Sequence, residues 1–349
     1  MTNNWQSQFA QDATLLPHML DLPKDQVLLS YLSEEDYRKA SFLDQRIVNP
    51  QLRRQLVPWT VLSQITLPEN NNPQYIFHIG HVGSTLISRL LGEIGSVLAL
   101  REPQLLRNLC EISLLQKQPE CPWSPETFQQ RMAQSVQWLS RGFRKDQRVM
   151  IKASSFVSEL APLLLDHPTQ ALFLYAPLDR YIPTILAGEA SVQETQMMAG
   201  ARLKRLTTHL GQPPAHLWEL SLAQRVAMSW LCELVTLHQA QQSNHAAQIL
   251  WMDFEAFLNN PTIQLSQLAS HFGHELSDQM ANALVTGSIM SSYSKAPEHD
   301  YSPNLRQELL AEANRNYVND IRAAIAWVEQ TAEKFPPVAE ALQWIETRK

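Results

Sequence analysis

What this 349-residue chain has little of closes off several classes of protein. Cysteine occurs three times, at Cys110, Cys121 and Cys232, with no Cys-x-x-Cys pair. That excludes a disulfide framework and predicts a reducing compartment. Basic residues are outnumbered, 28 Lys and Arg against 34 Asp and Glu, and they form no basic stripe. Nucleic acid is therefore not an expected partner. No apolar run approaches the ~18 residues that a membrane helix needs. Met1 to Asp12 lack the charged-then-apolar plan of a secretory signal. The chain is expected to be cytoplasmic, with no membrane partner. His209, His216, His271, His274 and His299 show no metal-ligand spacing, so no metal is expected. The dipeptide Gly-Lys does not occur. The lysine of the Gly-x-x-x-x-Gly-Lys-Ser/Thr loop is thus missing, which argues against ATP or GTP hydrolysis.

Glycine is scarce too, ten in all, yet Gly80, Gly83, Gly92 and Gly95 fall close together. A special turn is expected there, because glycine supplies positive φ and close backbone approach. The surrounding order is strand, then helix. Short apolar runs at Tyr75–Ile79, Val97–Leu100, Val149–Ile151, Ala171–Tyr175 and Ile249–Met252 suit strands buried on both faces. Helical patterns lie between them at Ser84–Leu91, Thr127–Arg144, Phe156–Leu165, Tyr181–Leu210 and Leu222–Gln241. Alternation of this kind predicts parallel βαβ units, an α/β fold with one parallel sheet flanked by helices. Residues 1–72, interrupted by Pro17, Pro23, Pro50 and Pro58, read as a mostly helical extension without chemistry. The α/β domain is expected over residues 73–302. A long helix from Pro303 to about Glu333 and a short one after Pro336-Pro337 complete the same globular unit over residues 303–349.

The segment Tyr75-Ile-Phe-His-Ile-Gly-His-Val-Gly-Ser-Thr-Leu86 reads strand, tight turn, helix. Helix N-termini present unpaired N–H groups and a partial positive charge, so they receive anions. The amides of Gly83, Ser84 and Thr85 would point inward, with two hydroxyls as further donors. The plainer reading is an ordinary βα turn with a serine cap.

Here the sequence resembles the sulfotransferases, the P-loop-like α/β enzymes whose donor is 3′-phosphoadenosine-5′-phosphosulfate. Gly80-His81-Val82-Gly83-Ser84-Thr85 is similar to the family's 5′-phosphosulfate loop. Ala171 to Thr184 resembles the strand and helix start that hold the 3′-phosphate. Ile249 to Pro261, with Leu265, Leu268, Ala269 and Phe272-Gly273, resembles the family's Tyr-Glu-Asp-Leu segment and the helix after it. Departures stand beside the likeness. The loop's basic residue falls on His81, the arginine of the second segment on Ala176 and its serine on Thr184, with Arg180 nearby.

The resemblance implies roles. Gly80, Gly83, Ser84, Thr85 and His81 would hold the phosphosulfate, and Arg180, Thr184 or Lys295 the 3′-phosphate. Lys152 would contact the leaving group. Glu102 would take the acceptor's proton, since Ser154 stands where many members place a histidine base. Each has a plainer alternative: a rim ion pair of Glu102 with Arg101 or Arg107, helix capping by Ser154 or Ser155, a solvated loop for Lys295. Asp253 is read as a helix cap rather than a magnesium ligand, His78 as a hydrogen-bonded core histidine, and Met197-Met198 and residues 228–232 as core. Two functions follow. One is sulfuryl transfer to a hydroxyl or amine of a small-molecule acceptor. The other is a sulfotransferase-like nucleotide- or peptide-binding protein without transfer. Neither the acceptor nor the oligomeric state is legible.

Overall fold

The structure, a computed structural model, describes residues 4–68, 72–291 and 303–348. The prolines of the first segment do not interrupt helices. Three strands, β1 (Leu15–Asp21), β2 (Gln26–Tyr31) and β3 (Arg54–Pro58), pair antiparallel in that order. The helical reading of residues 1–72 is thereby corrected, although short helices remain at Asn4–Gln11 and Glu34–Lys39. The reason is positional. Pro17 lies in β1 and Pro58 ends β3, both edge strands, where a missing N–H is tolerated. The β1 register slips between Pro17 and Met19.

The second sheet is the expected one. Its five strands are β4 (Gln74–His78), β5 (Val97–Arg101), β6 (Arg148–Lys152), β7 (Gln170–Tyr175) and β8 (Gln248–Asp253). The order is β5-β6-β4-β7-β8, and every pairing is parallel. All of β4 and β5 is buried, which is why they read as continuous apolar runs rather than alternating ones. The connection leaving β4 heads for the β5 edge and that leaving β7 for the β8 edge. Ligands in such sheets bind beyond the carboxyl ends near this reversal.

Helix boundaries differ from expectation where glycine or tertiary packing intervenes. The Tyr181–Leu210 stretch divides into Leu178–Leu186 and Glu189–Leu210 at Ala187-Gly188. A 3₁₀ segment, Ser155–Leu160, and one turn of α-helix, Ala161–Leu164, replace the predicted Phe156–Leu165 helix. The C-terminal helix divides into Pro303–Asn316 and Val318–Lys334. Residues 228–232 are core, whereas Met197 is 78% exposed and is not.

Two buried arginines stitch the N-terminal segment to the parallel sheet. Arg101, at the end of β5, donates to the carbonyls of Ala40 (2.7 Å), Arg38 (2.9 Å) and Tyr37. Arg141 donates to those of Trp138 (2.7 Å), Asp12 (2.8 Å), Leu15 (2.6 Å) and Phe9. Such charge-assisted bonds offset the cost of burying a guanidinium.

His274 forms a comparable link at the other end of the sheet. Its ring nitrogens lie 2.9 Å from Ser96 Oγ and 2.9 Å from Gln74 Oε1, and the Gln74 amide donates to the Phe272 carbonyl at 2.6 Å. Burial, helped by Arg148, pushes the His274 pKa down from 6.5 to about 4. The folded state thus favours the neutral ring, and the unfolded state binds the extra proton. Stability is full above pH 6.5 and falls as the pH drops from there to about 4, by about 3 kcal/mol for this group. Buried His18 adds a shift of the same sign. Urea midpoints measured across that window should fall less steeply for His274→Asn than for the parent, and parallel slopes would contradict the assignment.

Candidate active site

The turn after β4 has unusual backbone geometry. Gly80 and Gly83 adopt φ +89° and +65°, and His81 between them takes φ +52°. A non-glycine residue in this region is costly, by roughly 1–2 kcal/mol, so the surrounding structure must enforce it. His78 does part of that. Its Nδ1 accepts the Gly80 amide at 2.9 Å, which leaves Nε2 as the donor to the Ala153 carbonyl, also at 2.9 Å. The ring is therefore a neutral core histidine that ties the turn to the end of β6, as the sequence suggested.

The helix Ser84–Gly92 opens from Gly83 with no side-chain cap. Among the described residues the amides of Gly83, Ser84 and Thr85 meet no acceptor. Thr85 is 3% exposed, and its Oγ1 has no hydrogen-bond partner either. Unfilled donors in a buried place are costly unless something fills them. Ser155 borders the turn from the other side, since a methyl group on Gly80 would sit 3.6 Å from its Oγ. Ser154 occupies the cap position of the 3₁₀ segment without using its side chain as a cap, and its buried Oγ is also unpartnered. The third wall is Phe254. A methyl group on Gly83 would lie 2.0 Å from its Cε2 and 2.1 Å from its Cζ, so only glycine fits beneath that ring.

Glu102 and Lys152, 50 residues apart, meet at the carboxyl ends of β5 and β6. Their side chains form an ion pair, with Lys152 1% and Glu102 18% exposed. Glu102 takes φ +53° and, with His81 and Asp25, is one of three described non-glycine residues in the left-handed region. The Glu102 amide donates to the Lys152 carbonyl at 2.7 Å and fixes that backbone. The anticipated rim pair with Arg101 or Arg107 does not form. Arg101 is spent on carbonyls, and Arg107 pairs with Glu111 at 3.4 Å. Instead Arg46 approaches Glu102 at 3.6 Å while held by Asp44 through bonds of 2.8 and 3.0 Å. Its guanidinium lies 3.4 Å over the Phe42 ring, and the Lys152 ammonium lies 5.7 Å from the same centroid. The N-terminal segment therefore contributes Arg46 to the surroundings of Glu102, which its sequence gave no reason to expect.

His81 leans toward the helix Glu189–Leu210, with its ring nitrogens 3.2 Å from Glu194 Oε2 and 3.3 Å from Ser191 Oγ. On the side where the resemblance seeks the 3′-phosphate, Ala176 is buried and its carbonyl accepts the Trp230 indole N–H at 2.9 Å. Arg180 is exposed, and Thr184 Oγ1 donates to the Arg180 carbonyl at 2.7 Å. Lys295 and His299 lie outside the described residues. Asp253 accepts the Glu255 amide at 2.9 Å and caps the helix Phe254–Asn259. Among the described residues no group of His, Cys, Asp and Glu could hold a metal ion, and no helix is long and apolar enough to cross a membrane.

Fold and site together define an α/β protein whose first βα turn presents unpartnered amides and whose neighbouring strand ends carry the Glu102–Lys152 ion pair. No family model and no curated protein sequence matches the chain. Among solved structures it is similar to the sulfotransferase domain from the curacin biosynthetic pathway, at 12% identity and TM-score 0.42 over 67% of this chain and 85% of that one. It is also similar to sulfotransferase STF1 from Mycobacterium tuberculosis H37Rv, at 15% identity and TM-score 0.36 over 70% and 77% of the two chains. A third, a sulfotransferase from Alicyclobacillus acidocaldarius, gives 12% identity and TM-score 0.36 over 74% and 99%.

Proposed function

We propose that the protein is a sulfotransferase that moves a sulfuryl group from 3′-phosphoadenosine-5′-phosphosulfate to a hydroxyl or amine of a small molecule. One observation carries the reading. The empty donors of the turn, three amides and Thr85 Oγ1, stand beside a strand end whose carboxylate and ammonium, Glu102 and Lys152, form a pair. Transfer of such a group needs alignment, charge stabilisation and a base, with little covalent work by the protein.

Gly83, Ser84 and Thr85 would hold the 5′-phosphosulfate through backbone N–H groups, and Gly80 and His81 would shape the turn. Lys152 would neutralise charge developing on the leaving phosphate. Glu102 would accept the acceptor's proton as the new S–O or S–N bond forms. The strained φ at Glu102 and at His81 supports this assignment, since backbone strain clusters at functional sites. The 3′-phosphate would fall to Arg180, Thr184 or Lys295.

Calorimetry with adenosine 3′,5′-bisphosphate, the donor's product, tests the reading. Saturable binding is expected, and its absence at millimolar ligand would favour a binding protein with another ligand. Lys295→Ala should weaken the bisphosphate more than adenosine 5′-phosphate. Equal losses would remove Lys295 from the 3′-phosphate subsite.

A further inference from the structure

Among the described residues four arginines are buried almost completely: Arg101, Arg141, Arg202 and Arg205. Three of them are well supplied with partners. Arg101 and Arg141 fan onto the carbonyls described above. Arg205 bonds Glu159 at 2.6 Å, both oxygens of Glu233 at 2.8 and 2.9 Å, and Ser158 Oγ at 3.0 Å. Arg202 differs. It is 4% exposed, yet its buried Nε–H makes no hydrogen bond to any described residue. Its nearest carboxylates are Glu233 Oε1 at 3.5 Å and Glu194 Oε1 at 3.8 Å. Glu233 is already engaged on both oxygens by Arg205, and Ser158 donates to it as well. It has little left to offer.

A guanidinium whose buried Nε–H is unbonded, with carboxylates only at 3.5 and 3.8 Å, is an expensive feature beside three buried arginines that are well supplied with partners. The position gives the reason. Glu194, within 3.8 Å of Arg202, is also the carboxylate that meets His81 of the anion turn at 3.2 Å. Arg202 also acts electrostatically on the Tyr181 phenol. That hydroxyl donates to the Ile79 carbonyl at the start of the same turn, at 3.3 Å. The guanidinium is therefore linked to the turn through Glu194 and Tyr181.

We infer that Arg202 is the cation of a second oxyanion subsite adjoining the turn, one that takes a carboxylate, phosphate or sulfate group of a bound ligand. The fork geometry suits two-point recognition of such groups, which a lysine would not reproduce. The group could belong to an acidic acceptor or to the nucleotide donor. The inference concerns binding only, so it stands or falls independently of sulfuryl transfer.

The experiment pairs binding with stability in the full chain. Calorimetric titrations of inorganic phosphate and of adenosine 3′,5′-bisphosphate are made on the parent, Arg202→Met and Arg202→Lys, with Arg205→Met as a structural comparator. If Arg202 is held for a ligand, Arg202→Met should melt no lower than the parent, because an apolar side chain replaces an unsatisfied charge. It should also bind at least one probe about tenfold more weakly or worse, with Arg202→Lys intermediate. Arg205→Met, which leaves Glu233 stranded, should melt well below both. Phosphate binding that persists on the bisphosphate-saturated chain and is lost in Arg202→Met assigns the subsite to the acceptor. Weakened bisphosphate binding with no second phosphate event assigns it to the donor. The inference is overturned if Arg202→Met destabilises the fold as Arg205→Met does, or if neither probe responds to the substitution.

Discussion

Glu102→Gln is expected to lower turnover by about 10²-fold or more while leaving donor affinity nearly unchanged, the usual scale for loss of a general base. The amide keeps the shape of the carboxylate and removes its ability to take a proton. The argument rests on where Glu102 sits. Its carboxylate is 18% exposed, enough to meet an entering hydroxyl, and it pairs with the buried Lys152 while Arg46 stands 3.6 Å away. The substitution also removes the Glu102 charge from beside the buried Lys152 ammonium, so stability and rate must be read together. Turnover would be followed with a phenol and amine panel, alongside thermal melts and bisphosphate titrations. A folded variant with near-parent turnover would remove Glu102 from the mechanism. A folded variant that loses bisphosphate affinity as well would give Glu102 a binding role instead.

Gly83→Ala should be the most damaging single methyl group in the molecule. Its Cβ would penetrate the Phe254 ring, at 2.0 Å from Cε2, and the residue would keep a left-handed φ of +65°. The φ term costs roughly 1–2 kcal/mol and overpacking about 1–3. The loss of stability should be on the order of 3 kcal/mol. The rearranged turn should bind adenosine 3′,5′-bisphosphate at least about tenfold more weakly, because the amides must converge to grip an anion. Phe254→Ala in the same chain removes the clash but not the backbone strain. The double variant should regain part of the stability. Equal stability of Gly83→Ala and the parent would show that the ring yields freely.

The parallel sheet was legible because burial on both faces leaves no alternation to confuse. Tyr75–Ile79 and Val149–Ile151, for example, fall on adjacent strands. The turn was legible because glycine spacing is local. The antiparallel sheet was not, because Pro17 and Pro58 look like helix breaks until their edge positions are known. Glu102 and Lys152 were each visible at a strand end, but their pairing spans 50 residues and depends on strand order. Arg46 and Phe254 carried no local signal at all. Arg202 did carry one. With Thr195, Ala199 and Leu206 it forms the buried stripe of its helix, and two arginines three apart on such a stripe call for a buried acceptor or a ligand.

The arginine stitching also bears on how the chain comes off the ribosome. Residues 9–40 are made before positions 101 and 141, whose guanidinium groups several of their carbonyls are meant for. Until the 61 residues that separate Ala40 from Arg101, or the 129 that separate Asp12 from Arg141, have been made, water must serve those oxygens. The small antiparallel sheet thus leaves the ribosome incomplete on one side and closes only when the parallel sheet arrives to finish it.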